Sequence, residues 1–386
     1  MTAIPLSVTQ TQIDAAGAAL TVKRVSEAQF TAMATEWNAL LAASQRSSVF
    51  MRWEWMHTWW ELFKHRKTLC ILAARENGTL VGLAPFYIER QPPLNARMLK
   101  FCSAEDLYPD YLDIIADPHV EQGVGQAFMR YLSDQRVLDG MVLDNVLQDS
   151  IVQRYFLPAG TQFRTFVRLS STCPYIRFGG RFDDYMKARF SGKKRRQLNW
   201  QLRQALEEHG MTLVAPSSHT EAVAAVEHVF DLHERRAAEK QIASSFATDK
   251  AMAFHRKLTA SFFASGILDL RLLLKGNEPV GASYNFIYQD KVYHFQSGFD
   301  PQWEKLSLGT SLTLLMVRST ADRGLAEYDF LKGDERYKKS WATGEHQQYE
   351  IRVFLRTSRG WLAENLYRSK LAVKNLARRL RTDTPE

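Results

Sequence analysis

The sequence predicts an α+β protein made of two similar halves, each a mixed, mainly antiparallel sheet flanked by helices. Three observations carry that expectation. The chain has 386 residues, more than one ordinary core organises. Strand-like runs cluster as hairpins around turn dipeptides, with helical runs on either side. The order of elements also repeats: helices, a hairpin or meander, a helix, then a strand.

Residues 1–19 are small and polar and are expected to form a loose tail. Leu20–Val25 reads as a strand, and Phe30–Ala43 and Met51–Phe63 as helices. The second helix is dense in Trp53, Trp55, Trp59, Trp60 and Phe63, a pattern that suits core packing more often than sugar stacking. Leu69–Ala74 and Leu80–Ile88 flank Glu76-Asn77-Gly78, where Asn-Gly tolerates the positive φ of a tight hairpin. Met98–Cys102, Tyr111–Ile115 and Met141–Leu147 read as strands and Gly123–Ser133 as a helix. Cys173-Pro174 and Gly179-Gly180 break the pattern. They mark the join between a first domain over 20–178 and a second over 179–357.

The second half begins with a helix over Asp183–Glu208, interrupted near Ser191 and Gly192. A short strand at Thr212–Ala215 and helices at Glu221–Ala238 and Lys250–Ser265 follow. Strands at Leu268–Leu274, Pro279–Tyr288 and Val292–Gln296 are joined by Gly276-Asn277 and Gln289-Asp290, both turn chemistry. A helix at Gly309–Ala321 and strands at Glu327–Leu331 and Tyr349–Arg356 complete the repeat. Residues 358–386 form a basic amphipathic helix. Leu362, Leu366, Val373, Leu376 and Leu380 share one face, with charge from Arg368, Lys370, Lys374, Arg378, Arg379 and Arg381. Docking on the body is the preferred reading, and peripheral contact with an anionic membrane is the other.

Composition narrows the function. Hydrophobic residues make up 45% and charged residues 24%, an ordinary globular balance, and no apolar run approaches the roughly 20 residues that span a bilayer. The N-terminus has neither early Lys or Arg nor an apolar h-region, so no signal peptide is expected. Cys70, Cys102 and Cys173 are odd in number and far apart, which argues against a disulfide framework and for a cytoplasmic, reducing environment. The net charge of +8 suits an anionic small molecule, an anionic lipid or a nucleic acid. No DNA-binding motif, nicotinamide fingerprint or standard metal-ligand spacing occurs, so neither DNA nor a metal is expected.

The most specific segment is Asp329–Trp341, DFLKGDERYKKSW, which crowds charge around Gly333. Composition alone allows a plain surface loop. Other short runs stand out along the chain: Trp53-Glu54-Trp55 with Trp59-Trp60, Val81-Gly82-Leu83-Ala84-Pro85 and Asp110-Tyr111-Leu112-Asp113. Cys173-Pro174-Tyr175, Lys194-Arg195-Arg196 with Leu198, Leu232-His233, Gln296-Ser297-Gly298-Phe299-Asp300-Pro301 and Leu308-Gly309 follow. Together, from Val22 to Arg356, they resemble the CelD/BcsL, cellulose-biosynthesis-type (BioF2-like) acetyltransferases of the GNAT superfamily. The doubled layout also looks like the Fem-type aminoacyl transferases of cell-wall synthesis.

The resemblance implies two tandem GNAT-like domains and an acyl-CoA co-substrate, held in a splay between two central strands. Its pyrophosphate would sit on backbone N–H groups at a helix N-terminus, where the dipole favours anions. In the second half that cradle is Lys305–Ser311, with Lys305 for charge, Ser307, Thr310 and Ser311 for hydroxyls, and Leu308-Gly309 for access. Gln296 and Ser297 are added from the preceding strand. The segment departs from the common GNAT signature of Gln or Arg, two residues, Gly, one residue, Gly or Ala. Gln122–Gln126 in the first half is the rival cradle, and an ordinary helix cap explains either.

Transfer to an amine or hydroxyl needs a base, an oxyanion donor and an acid for the thiolate. Asp329, Glu335 and Asp113 are the candidate carboxylates, with Tyr337 as the acid. Burial on an apolar strand would raise the pKa of Asp329, although a structural carboxylate reads the same. His294, between Tyr293 and Phe295, is read first as a plain strand histidine. Acceptor contacts are expected from Asp110, Arg195, Arg196, Lys332, Lys338 and Trp341, with Arg195 and Arg196 equally readable as a solvated basic face. The acceptor the resemblance implies is a saccharide or cell-envelope precursor. A Fem-like, tRNA-dependent transferase and a non-catalytic scaffold of polysaccharide synthesis remain the alternatives.

Overall fold

A computed structural model of the chain describes residues 11–15, 18–104, 107–134, 138–157, 163–241, 244–333 and 335–382. In chain order the first part comprises β1 (Thr11–Ala15), β2 (Ala18–Arg24), α1 (Glu27–Ala32), α2 (Ala34–Ala43) and α3 (Trp53–Phe63). β3 (Lys67–Glu76), β4 (Thr79–Gln91), β5 (Ala96–Phe101), β6 (Ile115–Ala116), α4 (Glu121–Asp134), β7 (Gly140–Leu147) and β8 (Phe163–Arg177) follow. The second part has α5 (Phe182–Arg189), α6 (Gly192–Arg203), β9 (Met211–Val214), α7 (His219–Lys240) and α8 (Asp249–Ala264). It continues with β10 (Leu268–Lys275), β11 (Glu278–Tyr288), β12 (Lys291–Phe299), α9 (Leu308–Asp322), β13 (Glu327–Asp329), α10 (Arg336–Trp341), β14 (Gly344–Leu355) and α11 (Ser358–Thr382).

Local chemistry explains many of the boundaries. Ser26 and Gln29 form a reciprocal capping box on α1, and Ser218 and Thr248 cap α7 and α8 through their hydroxyls. Asn77 and Gly78 both take positive φ in the turn between β3 and β4, as a two-residue hairpin loop requires.

The strands form one sheet in the order β1-β2-β3-β4-β5-β7-β14-β8-β13-β12-β11-β10-β9, with β6 beside β4. Its pairings are antiparallel except β5 with β7 and β12 with β13. Each half therefore contains one parallel pair, and the two halves are joined edge to edge. The last strand, β14, inserts between β7 of the first half and β8. In turn β8 pairs with β13 of the second half, Tyr175 opposite Asp329.

Two sequence expectations need correction here. The expected loose tail over residues 1–19 gives way, over Thr11–Ala15, to β1 paired with β2; residues 1–10 lie outside the described residues. The long strand β8 also runs through Cys173-Pro174, the first of the two expected breaks, and ends at Arg177, before Gly179-Gly180. Its sequence shows no apolar alternation, because most of its side chains up to Ser170 are exposed, and Pro174 reads as a breaker.

The tryptophan-rich α3 is core. Trp55, Trp59 and Trp60 are buried, and the ring of Trp55 lies 5.0 Å from Phe254 and 5.8 Å from Phe295 of the second half. One apolar core thus spans both halves.

Candidate functional site

The second half opens where its parallel pair ends. β12 and β13 are in register from Lys291 opposite Glu327 to Tyr293 opposite Asp329. Beyond that point Phe330 donates its N–H to Pro174 O on β8, while β12 runs on to Phe299. The edge of β12 facing β13 therefore loses its strand partner after Tyr293.

At the far end of β12 a 3-10 turn, Pro301–Leu306, leads into α9. Ser307 takes φ 54°, and its carbonyl accepts the N–H groups of Thr310 and Ser311. The N–H groups of Leu308 and Gly309 are left at the helix mouth without a helical acceptor. A cleft of about 240 Å³ lies there, lined by Arg236, Ser297, Phe299, Glu304, Ser307, Gly309, Thr310, Thr313, Tyr337 and Trp341. The Arg236 guanidinium lies 4.5 Å over the Phe299 ring, and among the described residues it makes no ion pair. A Cβ at Gly309 would come within 3.0 Å of that ring, so a small residue keeps the mouth open.

Several predicted cradle residues meet here and others do not. Ser297, Ser307, Gly309 and Thr310 line the cleft. Leu308 is buried beneath it, and the Ser311 hydroxyl is buried without a hydrogen-bond partner among the described residues. Gln296 points elsewhere, donating to Ser245 Oγ at 2.8 Å. Lys305 is exposed on the turn and is not part of the lining.

The DFLKGDERYKKSW segment forms the opposite wall and ties the halves together. Tyr337 and Trp341 line the cleft, and Trp341 packs at 5.0 Å on Phe190. Lys338 is buried, donates to Lys332 O at 2.9 Å and pairs with the exposed Glu335 at 3.2 Å. Lys332 reaches into the first half, where its N–H donates to Asp110 Oδ2 and its ammonium to Pro109 O at 3.0 Å. Gln348 on β14 also donates to Asp110, at 2.8 Å. Asp334 lies outside the described residues.

Asp329 is fully buried at the apex of the parting strands. Tyr111 of the first half donates to its Oδ2 at 2.7 Å and the Leu331 N–H to its Oδ1 at 2.8 Å. Burial pushes its carboxyl up to about 7, against the pull of the Tyr111 hydroxyl. Desolvation at the cleft and the nearby Glu335 raise the Tyr337 phenol although the residue is 36% exposed, and its proton is retained at neutral pH.

His294 faces the cleft side of the sheet, away from the core that holds Tyr293 and Phe295. Its Nδ1 lies 2.8 Å from Asn285 Oδ1. The Asn285 amide nitrogen donates to Asp269 O, which can only accept, so Oδ1 must face the imidazole. His294 therefore carries its proton on Nδ1 when neutral. Burial, then Lys338 and Arg236, lower its pKa to about 3, so it is neutral at pH 7 and Nε2 bears a lone pair.

The corresponding place in the first half is filled by the chain itself. β5 ends at Phe101, and the buried segment Asp110–Ala116 enters beside β7 and β4. Leu112 donates its N–H to Asn145 O, and Ile115 and Ala116 pair with Leu83 and Gly82. Asp113, within this plug, accepts N–H bonds from Ile114, Ile151 and Val152 at 2.8, 2.8 and 3.1 Å. Burial pushes it up to about 7 against those donors, and its oxygens are occupied by backbone. At the start of α4, Glu121 pairs with Arg46 at 3.0 Å and Arg154 at 3.6 Å, so a carboxylate already sits at that helix mouth. The rival glycine run serves packing: a Cβ on Gly125 would lie 2.8 Å from Tyr155 Cβ.

Arg195 and Arg196 lie apart from the cleft. Arg195 donates to Phe190 O at the end of α5, whereas Arg196 lines a separate cavity of about 620 Å³ with Arg203 and Arg318. One group has metal-ligand geometry among the described residues: Glu327, Asp329 and His346, whose ligand atoms lie within 4.8 Å of one another. Glu327 there already faces Arg177 at 2.7 Å and Lys291 at 3.1 Å, an ion-pair arrangement. Burial would raise its pKa, but the hydrogen bond from His346 and these cations hold it at about 2.

Residues 192–339 match the acetyltransferase (GNAT) domain family. This stretch contains the parting strands, the α9 mouth and Tyr337. The fold is GNAT-like in tandem. FemX aligns over 84% of this chain and 96% of its own, with 10% identity and a TM-score of 0.56. A conserved protein of unknown function from Bacteroides thetaiotaomicron aligns over 86% and 99%, with 11% identity and a TM-score of 0.52. L-PGS from Bacillus licheniformis aligns over 83% and 91%, with 10% identity and a TM-score of 0.51. At such identities the likeness is one of fold. No curated protein matches the chain in sequence. No helix among the described residues is long and apolar enough to cross a membrane.

Sequence reading missed Arg236, Asn285 and the pairing of Tyr111 with Asp329. Arg236 sits in an ordinary charged run of α7, with nothing local to set it apart. Tyr111 and Asp329 are 218 residues apart. Only their separate motifs stand out in the sequence.

Proposed function

We propose that the protein transfers an acyl group from acyl-CoA to an amine or hydroxyl acceptor, with the second half holding CoA. The observation that carries this reading is the unpartnered edge of β12, leading from the Asp329 apex to the open mouth of α9. The free edge suits the amides of the pantetheine arm. The N–H groups of Leu308 and Gly309, the hydroxyls of Ser307 and Thr310, and Arg236 suit its pyrophosphate. Glu304, at the rim, is the one carboxylate in that lining among the described residues.

In the reaction the acceptor nitrogen or oxygen bonds to the thioester carbonyl carbon and the carbon–sulfur bond breaks. The acceptor proton passes to a base and the Tyr337 phenol supplies the thiolate with one. Two groups near the parting strands suit the base: the Asp329 carboxyl, raised to about 7, and the Nε2 lone pair of His294. They separate by pH. A base titrating near 7 gives a rate that climbs through neutrality and flattens in Asp329→Asn, whereas His294, neutral across that range, gives no such limb. The acceptor is a saccharide or cell-envelope polysaccharide precursor, a choice supported by the motif resemblance to cellulose-biosynthesis-type acetyltransferases.

Calorimetric titration with acetyl-CoA and free CoA, beside Gly309→Trp, tests the proposal. Saturable binding to the native protein and its loss in the variant are expected. Binding that survives the substitution moves CoA out of the α9 mouth. A folded protein that binds neither ligand overturns CoA dependence, and salt-sensitive binding of charged tRNA would then support the Fem-like alternative.

A further inference from the structure

The C-terminal helix docks on the body through a different face from the one its leucines define. Tyr367 packs against Phe166 at 5.4 Å and Phe354 at 5.8 Å, and its hydroxyl donates to Glu350. Ala363 joins it against the small cluster around Met98 and Val142. Gly360 permits the close approach at the helix start, since a Cβ there would meet Asp139 O at 2.6 Å. At about 100° per residue, Leu362, Leu366 and Val373 fall within about 40° of one another, centred about 120° from Tyr367. They are 42%, 39% and 69% exposed, and Trp361, at the base of the helix and about 120° from the stripe on the side away from Tyr367, is 61% exposed.

This stripe is flanked by cations. Arg359 and Lys370 border it directly, and Arg164, Arg356 and Arg368 gather around Trp361 at the base of the helix. Among the described residues Arg164, Arg356, Arg359 and Lys370 make no ion pair, and Arg368 has only Glu364 at 3.8 Å. An apolar stripe of Leu and Val, edged by uncompensated Arg and Lys and with an exposed Trp at the base of the helix, matches the boundary between acyl chains and anionic headgroups. A second copy of the chain would set the same cations against one another, so charge complementarity favours a lipid surface. We propose that the exposed face of α11 docks the protein on an anionic bilayer, lying in the headgroup plane without crossing it.

Flotation with vesicles tests this on the full chain. Partition onto phosphatidylglycerol-containing vesicles should exceed that onto phosphatidylcholine vesicles by about tenfold or more and collapse in high salt. Leu366→Glu with Val373→Glu, and separately Arg359→Glu with Lys370→Glu, should each lower partition about tenfold with unchanged circular dichroism. The blue shift in tryptophan emission on vesicle binding should shrink in Trp361→Phe. Equal partition onto both vesicle types, or none onto either, overturns the proposal. So does a dimer in sedimentation velocity that the Leu366→Glu/Val373→Glu variant dissolves without any effect of lipid.

Discussion

The two halves share a sheet plan but differ at the one place where each has parallel strands. In the second half β12 and β13 part after Tyr293 and Asp329, and a cleft remains. In the first half the chain feeds Asp110–Ala116 beside β7, and Glu121 with Arg46 and Arg154 occupies the helix mouth. One copy of the plan keeps a concave opening with unused N–H donors. The other fills the corresponding space with its own backbone, and the carboxylate at its helix mouth is paired with two arginines. The closed half is not idle, since it supplies Asp110 and Tyr111 to the wall of the open one. Duplication thus lets one half become a support whose buried groups set the geometry of its neighbour.

The largest expected effect breaks the open side. Gly309→Trp should cut CoA affinity by about 100-fold or more, roughly 2.7 kcal/mol, by filling the mouth beside Phe299. Calorimetry reads the loss and circular dichroism checks the fold.

The next prediction sharpens the contact between halves through pH. The folded pKa of Asp329 is raised from 3.8 to about 7. The native state therefore holds this proton more tightly than the unfolded chain does. The associated stability is fully present below about 4 and is lost as pH rises through about 7, a change on the order of 4 kcal/mol. Urea unfolding across that range should show the slope in the native protein and a flatter profile in Asp329→Asn.

Arg236→Ala should weaken CoA about tenfold, the contribution of one charge-assisted contact, and should reduce the salt dependence of binding. Titration at two ionic strengths checks both. The smallest effect belongs to the closed side. Glu121→Gln should lower stability by about 1–2 kcal/mol, because Arg46 and Arg154 lose their carboxylate, and should leave CoA affinity unchanged. A shift in CoA affinity with Glu121→Gln would mean the halves are coupled more tightly than their hydrogen bonds indicate.

Elements with strong local signals are legible in the amino-acid sequence. The hairpin at Asn77-Gly78, the break at Ser191-Gly192 and the strand–helix order around Gly309 all rest on neighbouring residues, whose φ preferences and spacing act over a few positions. Ser297, Ser307, Gly309, Thr310 and Tyr337, which line one cleft, stand out through the motif resemblance and not through local periodicity. The strand β8 is not legible in this way. It is polar along most of its length, and its partners β14 and β13 lie more than 150 residues downstream.

What the sequence by itself determined is the α+β character, the repeat and the residue types that could hold an anion at a helix mouth, because these follow from short-range periodicity and turn chemistry. Tertiary structure alone decided which repeat stays open and how Tyr111 meets Asp329. It also decided which face of α11 is spent on docking. Each of these depends on hydrogen bonds and burial between segments far apart in the chain, and no local pattern encodes which distant group will satisfy a given donor.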